Sequence, residues 1–396
     1  MNPGTRSDTH TRKHPGTTSV KICLLFTHGV SLQTWAQTGM MAREIKPYLE
    51  LAKSGVAEVS FLTYGGSEDL AFQTALHPIK ILPAFTNKKS TQSTLGLLFG
   101  GITALFRHRK SLRTTEIFKS NQMLGSHIAW LAAKIFRGTF LLRTGYEFYD
   151  FTRKRNIGRP RVLAAWLISY FGYKTADKII VATPADATMA IRVFGANSDK
   201  VSIQPNWIDT NHFAPIVTDK SGQRDFLTVV RLDPQKNLPA VIRATKMANA
   251  SLDILGAGPM QDELLALAHS NDADVAFLDR VPNDHLPTLI QQYRGFVLCS
   301  HFEGNPKALL EAMSCAMPVI GTAVPGIKNL IDNGIDGFLC AEDAPAISLA
   351  MTTLLGDPAN AAHMGENARR RIVVNNSLSH FLNAEENHYK ALTAKN

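Results

Sequence analysis

A chain of 396 residues with 45 % hydrophobic content holds ample core material and suggests two domains. The net charge of +9 is unevenly spread: the first 204 residues carry 27 Lys/Arg against 12 Asp/Glu, and the remainder 15 against 21. The four cysteines (Cys23, Cys299, Cys315, Cys340) lack any paired short spacing, which argues against a disulfide framework or zinc site and for reduced thiols in a cytosolic protein.

Residues 1–19 are polar, rich in Pro, Gly, Thr and basic side chains, and lack an apolar h-region, so they read as a disordered tail and not a signal peptide. From Val20 the rhythm is strand, helix, strand, helix. Lys21 to Phe26 is an expected buried strand, Leu32 to Lys53 a long helix and Val56 to Leu62 the next strand. Ile79 to Leu82 follows as a short strand. Thr94 to Phe106 is an apolar segment, too short to cross a bilayer, that runs into Arg107-His108-Arg109-Lys110. Between Leu70 and Thr115 there are seven basic residues and no acidic one, a bias that points to an anionic partner. Strands at Ile117-Phe118, Thr139 to Leu142, Lys178 to Val181 and Val201 to Ile203, with a helix over Leu124 to Phe136, complete residues 20–207. Such alternation implies a parallel sheet covered on both faces.

Residues 208–223 include Pro215, Ser221 and Gly222 and read as a linker. Residues 224–376 repeat the rhythm, with strands expected at Phe226 to Val230, Leu252 to Leu255, Val275 to Leu278, Phe296 to Leu298 and Val319-Ile320. Ser377 to Leu392 has near-helical apolar spacing, so 377–396 is expected to be a terminal helix.

The stretch Cys299 to Gly321 organises the rest. An apolar run stops at a small polar loop, and a helix is expected to open at Asn305-Pro306, since Asn is a good N-cap and Pro suits the first helical position. Its orphan N–H groups and positive dipole end would welcome a phosphate. Glu303 lies just outside that end, and Glu311 in the second turn, so one carboxylate sits beside the anion pocket while the other reaches deeper. Upstream, Arg231 and Lys236 follow a strand and straddle a turn. Two fixed cations there would stabilise the negative charge that builds on a departing nucleoside diphosphate. The bland reading of these residues is two solvated loop cations and a surface-helix carboxylate.

This pattern, two Glu separated by seven residues, resembles the nucleotide-sugar signature of retaining GT-B glycosyltransferases, especially family 4. Val230-Arg231-Leu232-Asp233-Pro234-Gln235-Lys236-Asn237 resembles the family's basic donor motif, and Asp336-Gly337-Phe338-Leu339 the turn that follows. The resemblance implies an α/β, GT-B fold: two Rossmann-like doubly wound domains facing across a cleft, with the terminal helix crossing back to the N-terminal domain. It implies a retaining hexosyl-type transferase that moves a sugar from a nucleotide diphosphate donor to a hydroxyl. Arg231, Lys236, Gly304, Asn305, Pro306 and Glu311 would bind the donor, Glu311 through the ribose hydroxyls. Glu303 would act at the anomeric carbon as nucleophile or stabiliser. His127, near the start of a helix, would contact acceptor or donor, against the reading of a locally bonded helix-end histidine. Gly29, Ser31, Arg143 and Tyr146, in loops that end strands, would face the acceptor.

Other signals are decoys. Gly256-Ala257-Gly258 lacks the third glycine of the dinucleotide fingerprint, Gln261 standing there. Asp272-Ala273-Asp274 precedes a strand instead of following one, so it reads as a solvated turn; no metal and no further cofactor are expected. Departures from the family pattern are Gly29 alone where a Gly-Gly pair is common, Ala316 for the usual Gly and Asn329 for a frequent acid. The acceptor is expected to be a surface polysaccharide or glycolipid precursor. The setting is expected to be cytoplasmic, with Thr94 to Phe106 and its basic flank offering peripheral contact with an anionic membrane at its inner face. A GT-B epimerase and a basic nucleic-acid-binding protein are the alternatives. The latter is disfavoured, and no nucleic-acid partner expected, because no recognisable module interleaves basic and aromatic residues.

Overall fold

The computed structural model describes residues 19–86, 93–156, 158–216, 223–279 and 281–394. Most of the expected tail and residues 217–222 of the expected linker lie outside the described residues.

Thirteen strands form among the described residues. β1 (Val20–Leu25), β2 (Ala57–Thr63), β3 (Lys80–Pro83), β4 (Ile117–Ser120), β5 (Thr139–Thr144), β6 (Lys178–Val181) and β7 (Val201–Ile203) build a seven-stranded sheet in the order β3-β2-β1-β4-β5-β6-β7. β8 (Arg224–Val229), β9 (Leu252–Leu255), β10 (Val275–Leu278), β11 (Tyr293–Leu298), β12 (Val319–Thr322) and β13 (Phe338–Cys340) build a six-stranded sheet in the order β10-β9-β8-β11-β12-β13. β1 pairs with β2 and β4, and β8 with β9 and β11, all in parallel. Both sheets therefore wind outward from a central pair and reverse direction there, the Rossmann-like pattern. The chain divides into two compact units, one of residues 1–143, 171–179 and 384–396, the other of 144–170 and 180–383.

In the second unit the period-2 alternation of buried strands is explicit. Leu227, Phe296, Leu298 and Val319 enter one core; Phe226, Val297 and Ile320 enter the other. The helix Lys307–Ser314 lies on the first side through Leu309, Leu310 and Met313, and the helix Leu238–Met247 on the second through Val241 and Ile242. In the first unit the fully buried Lys119 of β4 pairs with Glu385 of the last helix, Leu378–Thr393, and lies 3.3 Å from the Tyr389 hydroxyl. Burial pulls the Lys119 ammonium down to about 8, so it remains charged at neutral pH. Burial, the largest influence, raises Glu385, but the Lys119 charge and the hydrogen bonds from Lys119 and Tyr389 together outweigh it and hold the carboxyl below its ordinary range.

Two expectations need correction, and one helix carried no expectation. The helix expected over 32–53 is two, Leu32–Gln37 and Met41–Lys53, because Gly39 takes a left-handed φ of 70° and stops the first. The turn at 336–339 continues into a strand, β13. The helix Arg159–Thr175 went unread, since it has no polar face to generate a period.

Candidate functional site

The loops after β8 and β11 leave the six-stranded sheet at its switch point, where open α/β sheets place their ligands. After β8 the chain makes a short turn, Pro234–Lys236, and Asn237 in the left-handed region (φ 52°) starts the helix Leu238–Met247. After β11 it runs through Cys299 to Pro306 before the helix Lys307–Ser314. Two hydrogen bonds fasten the two loops: the His301 N–H donates to the Gln235 backbone carbonyl at 2.9 Å, and the Gln235 side-chain Nε2 donates to the Phe302 carbonyl at 2.8 Å.

That fastening aims Lys236 at Glu303. The ammonium lies 2.5 Å from Glu303 Oε1, and the Ser300 hydroxyl donates to the same oxygen at 2.7 Å. The two charged side chains are 17 % and 7 % exposed, so the pair is shielded and stronger than a surface ion pair. Arg231 is 61 % exposed and folds onto Asp233, with contacts of 2.8 and 2.6 Å. Glu311 sits on the second turn of its helix and is 5 % exposed.

The helix does not begin as the sequence suggests. Pro306 is its N-cap and makes no side-chain cap bond, because the Asn305 side chain is engaged elsewhere: its Oδ1 accepts from the Asn206 N–H at 2.8 Å, and its carbonyl accepts from Asn206 Nδ2 at 2.7 Å. As N-cap, Pro306 contributes no side-chain bond to the first turn, and a helix N-terminus favours an anion. Gly304 is required by crowding. A Cβ there would lie 3.0 Å from Tyr146 Cβ and 3.1 Å from the Gly145 carbonyl, which places Tyr146 against the Glu303–Gly304 loop.

Three residues of this constellation escaped the sequence reading: Ser300, Gln235 and Gly326. Ser300 stands three before Glu303, a spacing that signals a local side-chain bond. Gly326 opens the short helix Pro325–Lys328, and a Cβ there would meet the Gly304 and Glu303 carbonyls at 2.2 and 2.3 Å.

The remaining candidates lie in the first unit. His127 belongs to the helix Ser126–Phe136, whose cap Gly125 (φ 121°) abuts the Phe26 carbonyl at the end of β1. Its ring is 5.4 Å from that of His28, which is 5.1 Å from Tyr64. Burial, then the neighbouring His28, pushes His127 down to about 4, so the ring is neutral. Gly29 takes φ 82° in the same loop. Ser31 caps the helix Leu32–Gln37 by accepting from the Thr34 N–H, and Asp69 accepts from the Leu32 and Gln33 N–H groups, so that helix end is already satisfied. Arg143 is buried at the end of β5, its backbone bonded to the Ser120 hydroxyl.

The two decoys have structural explanations. A Cβ on Gly256 or Gly258 would meet the Val230 or Leu232 carbonyl at 1.8 or 2.3 Å, so these glycines let the donor-side turn pass close to the end of β9. Asp272 and Asp274 are exposed and pair with Lys246 and Arg224. Among the described residues no cluster of three or more metal-ligating side chains occurs.

The fold and site define a GT-B-type protein. Residues 210–371 match the glycosyl transferases group 1 family. It is 26 % identical over 267 residues, 61 % of its own length and 67 % of the other's, to the UDP-Gal:alpha-D-GlcNAc-diphosphoundecaprenol alpha-1,3-galactosyltransferase of Escherichia coli. It spans about half the length of other curated relatives it matches. Among solved structures, the sucrose-phosphate synthase of Thermosynechococcus elongatus covers 95 % of the chain with TM-score 0.77 and 18 % identity, 100 % of that chain being matched. HepE of Anabaena in complex with UDP covers 94 % with TM-score 0.73 and 17 % identity, again over 100 % of its length.

Proposed function

We propose that the protein is a retaining, hexosyl-type glycosyltransferase that moves a sugar from a nucleoside-diphosphate donor to a hydroxyl of a surface polysaccharide or glycolipid precursor. The observation that carries this reading is the Lys236–Glu303 pair at the switch point of the six-stranded sheet, beside the N-terminus of the helix Lys307–Ser314. The diphosphate takes the place beside Lys236, Arg231 and the first N–H groups of the helix Lys307–Ser314. These donors stabilise the charge that grows on the leaving oxygen as the glycosidic bond breaks. Buried Glu311 accepts from the ribose hydroxyls. Glu303 faces the anomeric carbon, held in place by Ser300 and Lys236. Gly29, Ser31, His127 and Arg143 are the proposed acceptor contacts; Tyr146 stands beside the Glu303–Gly304 loop. No metal is needed, since fixed cations and a helix end do its electrostatic work.

A UDP-sugar donor is supported by the relative named for UDP-Gal and by the UDP complex of HepE. The lipid-linked acceptor in the same relative's name supports a glycolipid, with peripheral contact through the exposed Leu95, Phe99 and Phe106 of the helix Thr94–Arg107 at a cytoplasmic membrane face. No helix among the described residues is long and apolar enough to cross a membrane. A thermal-shift screen against nucleotide sugars tests the reading, because a ligand bound only by the folded state raises its stability. A panel of UDP-, GDP- and ADP-sugars with no shift, together with no sugar transfer to any acceptor tried, would defeat it. Conversion of the donor sugar without an acceptor would mark an epimerase instead.

A further inference from the structure

We infer that the solvent-facing stripe of the helix Arg159–Thr175 is a docking surface for an anionic lipid bilayer. The helix has almost no amphipathic periodicity, because Arg161, Ser169 and Lys174 interrupt the apolar residues Val162, Leu163, Ala165, Trp166, Leu167, Ile168 and Phe171. It is buried on one side only, through Ala165, Ser169, Gly172 and Tyr173. Opposite, Leu163 is 59 % exposed, Leu167 53 % and Tyr170 42 %. Steps of four and three residues put those three on a single stripe. Trp166 stacks on Tyr170 with ring centroids 5.2 Å apart and 13° between planes, an amphipathic aromatic pair of the kind that settles at a membrane interface.

Charge selects the occupant. From Phe151 to Ala176 there are six basic residues, Arg153, Lys154, Arg155, Arg159, Arg161 and Lys174, and no acidic one. Arg153 and Lys154 share Asp150, whereas Arg155, Arg159 and Arg161 are exposed around the start of the helix. A cavity of about 410 Å³ opens there, lined by Tyr149, Arg153, Asn156, Arg159, Leu163 and Trp166. Basic rim, aromatic wall and leucines in sequence suit an anionic headgroup above acyl chains. A second copy of the chain fits poorly, because a two-fold contact lays the same basic rim against itself. The surface is built on a different helix from Thr94–Arg107 and does not depend on the sugar-transfer reading.

Flotation of the full chain with phosphatidylcholine vesicles, with and without phosphatidylglycerol, tests the inference. Wild type is expected to float with the anionic vesicles at low salt and to be released by high salt. Leu163→Asp with Leu167→Asp is expected to lower partitioning at least about tenfold, and Arg159→Glu with Arg161→Glu to do so comparably. Both pairs lie on the surface, so melting temperature and nucleotide-sugar shifts should stay at wild-type values. Leu95→Asp with Phe99→Asp is the comparison. Anionic flotation that survives both sets on this helix but is lost in the comparison variant overturns the inference while leaving the bilayer reading of the other helix. Wild type that floats no better with anionic than with neutral vesicles overturns both. A concentration-dependent dimer of wild type that the leucine variant abolishes assigns the stripe to a second copy and overturns it too.

Discussion

Replacing Gly326 with alanine tests whether the position of the Glu303–Gly304 backbone sets the rate. The added Cβ would lie 2.2 Å from the Gly304 carbonyl oxygen and 2.3 Å from that of Glu303, where real Cβ atoms keep at least 3.0 Å. The loop, or the helix Pro325–Lys328, must therefore retreat by about 0.8 Å, the difference between 3.0 and 2.2. Both obstructing atoms are backbone, so no side-chain rotation relieves them. The contacts that aim Glu303 are 2.5 Å to Lys236 and 2.7 Å to Ser300, and a shift of that size breaks or re-aims them. Misplacement on the order of 1 Å costs roughly 10²-fold in rate, and overpacking costs about 1–3 kcal/mol of stability. The expected result is a folded enzyme with kcat/KM down about a hundredfold. Gly365→Ala is the control, since its Cβ would meet the Ala316 carbonyl at 2.1 Å, just before β12 and hence at the other end of the strands. It should lose comparable stability while the folded protein keeps its turnover. Near-wild-type kcat/KM for Gly326→Ala, measured on protein shown to be folded by circular dichroism, refutes the reasoning.

Lys236→Ala should lower turnover by on the order of 10²–10³ with little loss of fold, and unchanged activity in the folded variant removes Lys236 from the mechanism. Transfer should persist in excess EDTA with metal-free protein; complete loss restored by Mn²⁺ would mean that a metal takes part. Ala316 holds a left-handed φ of 58° after the helix Lys307–Ser314, so Ala316→Gly should stabilise by about 1 kcal/mol in chemical denaturation, and a neutral or negative effect argues against strain there. His127, at about 4 in the folded protein against 6.5 ordinarily, lets the unfolded chain bind the proton first; stability should fall between pH 6.5 and 4 by on the order of 2–3 kcal/mol, and His127→Asn should flatten that slope.

Much of this fold was legible because buried parallel strands announce themselves. Phe296-Val297-Leu298 and Leu252 to Leu255 are short apolar runs, and the polar turns between them fix where ligand loops leave the sheet. The charged members of the site were legible for a related reason. Lys236 and Glu303 follow strands, and so stand at a ligand-facing edge whatever the details of packing. What sequence could not disclose were residues whose role is spatial. Gly326 matters through carbonyls more than twenty positions upstream. Asn305 looks like a cap until Asn206, ninety-nine positions away, claims its side chain. The helix Arg159–Thr175 went unread because hydrophobic periodicity arises from contrast between faces, and it has none.

Under the proposed reading, the Lys236–Glu303 pair lets one loop hold a carboxylate beside an incoming diphosphate. Two anions so close would repel by several kcal/mol in a partly buried site, unless a cation stands between them. Lys236 is placed to do that, with its ammonium already on Glu303 Oε1 and a three-donor head that can also take a phosphate oxygen. Ser300 adds a neutral donor to the same oxygen, so the carboxylate keeps its orientation when Lys236 turns part of its charge toward the ligand. The motif therefore works as a unit. The basic turn after β8 supplies the charge, the loop after β11 supplies the carboxylate, and the Gln235 bonds to His301 and Phe302 hold them together before any donor arrives. Gln235→Ala removes the side-chain bond to the Phe302 carbonyl while leaving the His301 bond to the backbone carbonyl, and should weaken catalysis more than nucleotide binding: kcat falls while the thermal shift by UDP stays near wild type. Equal losses in both would show that the two loops need no preorganisation and that the ligand assembles them.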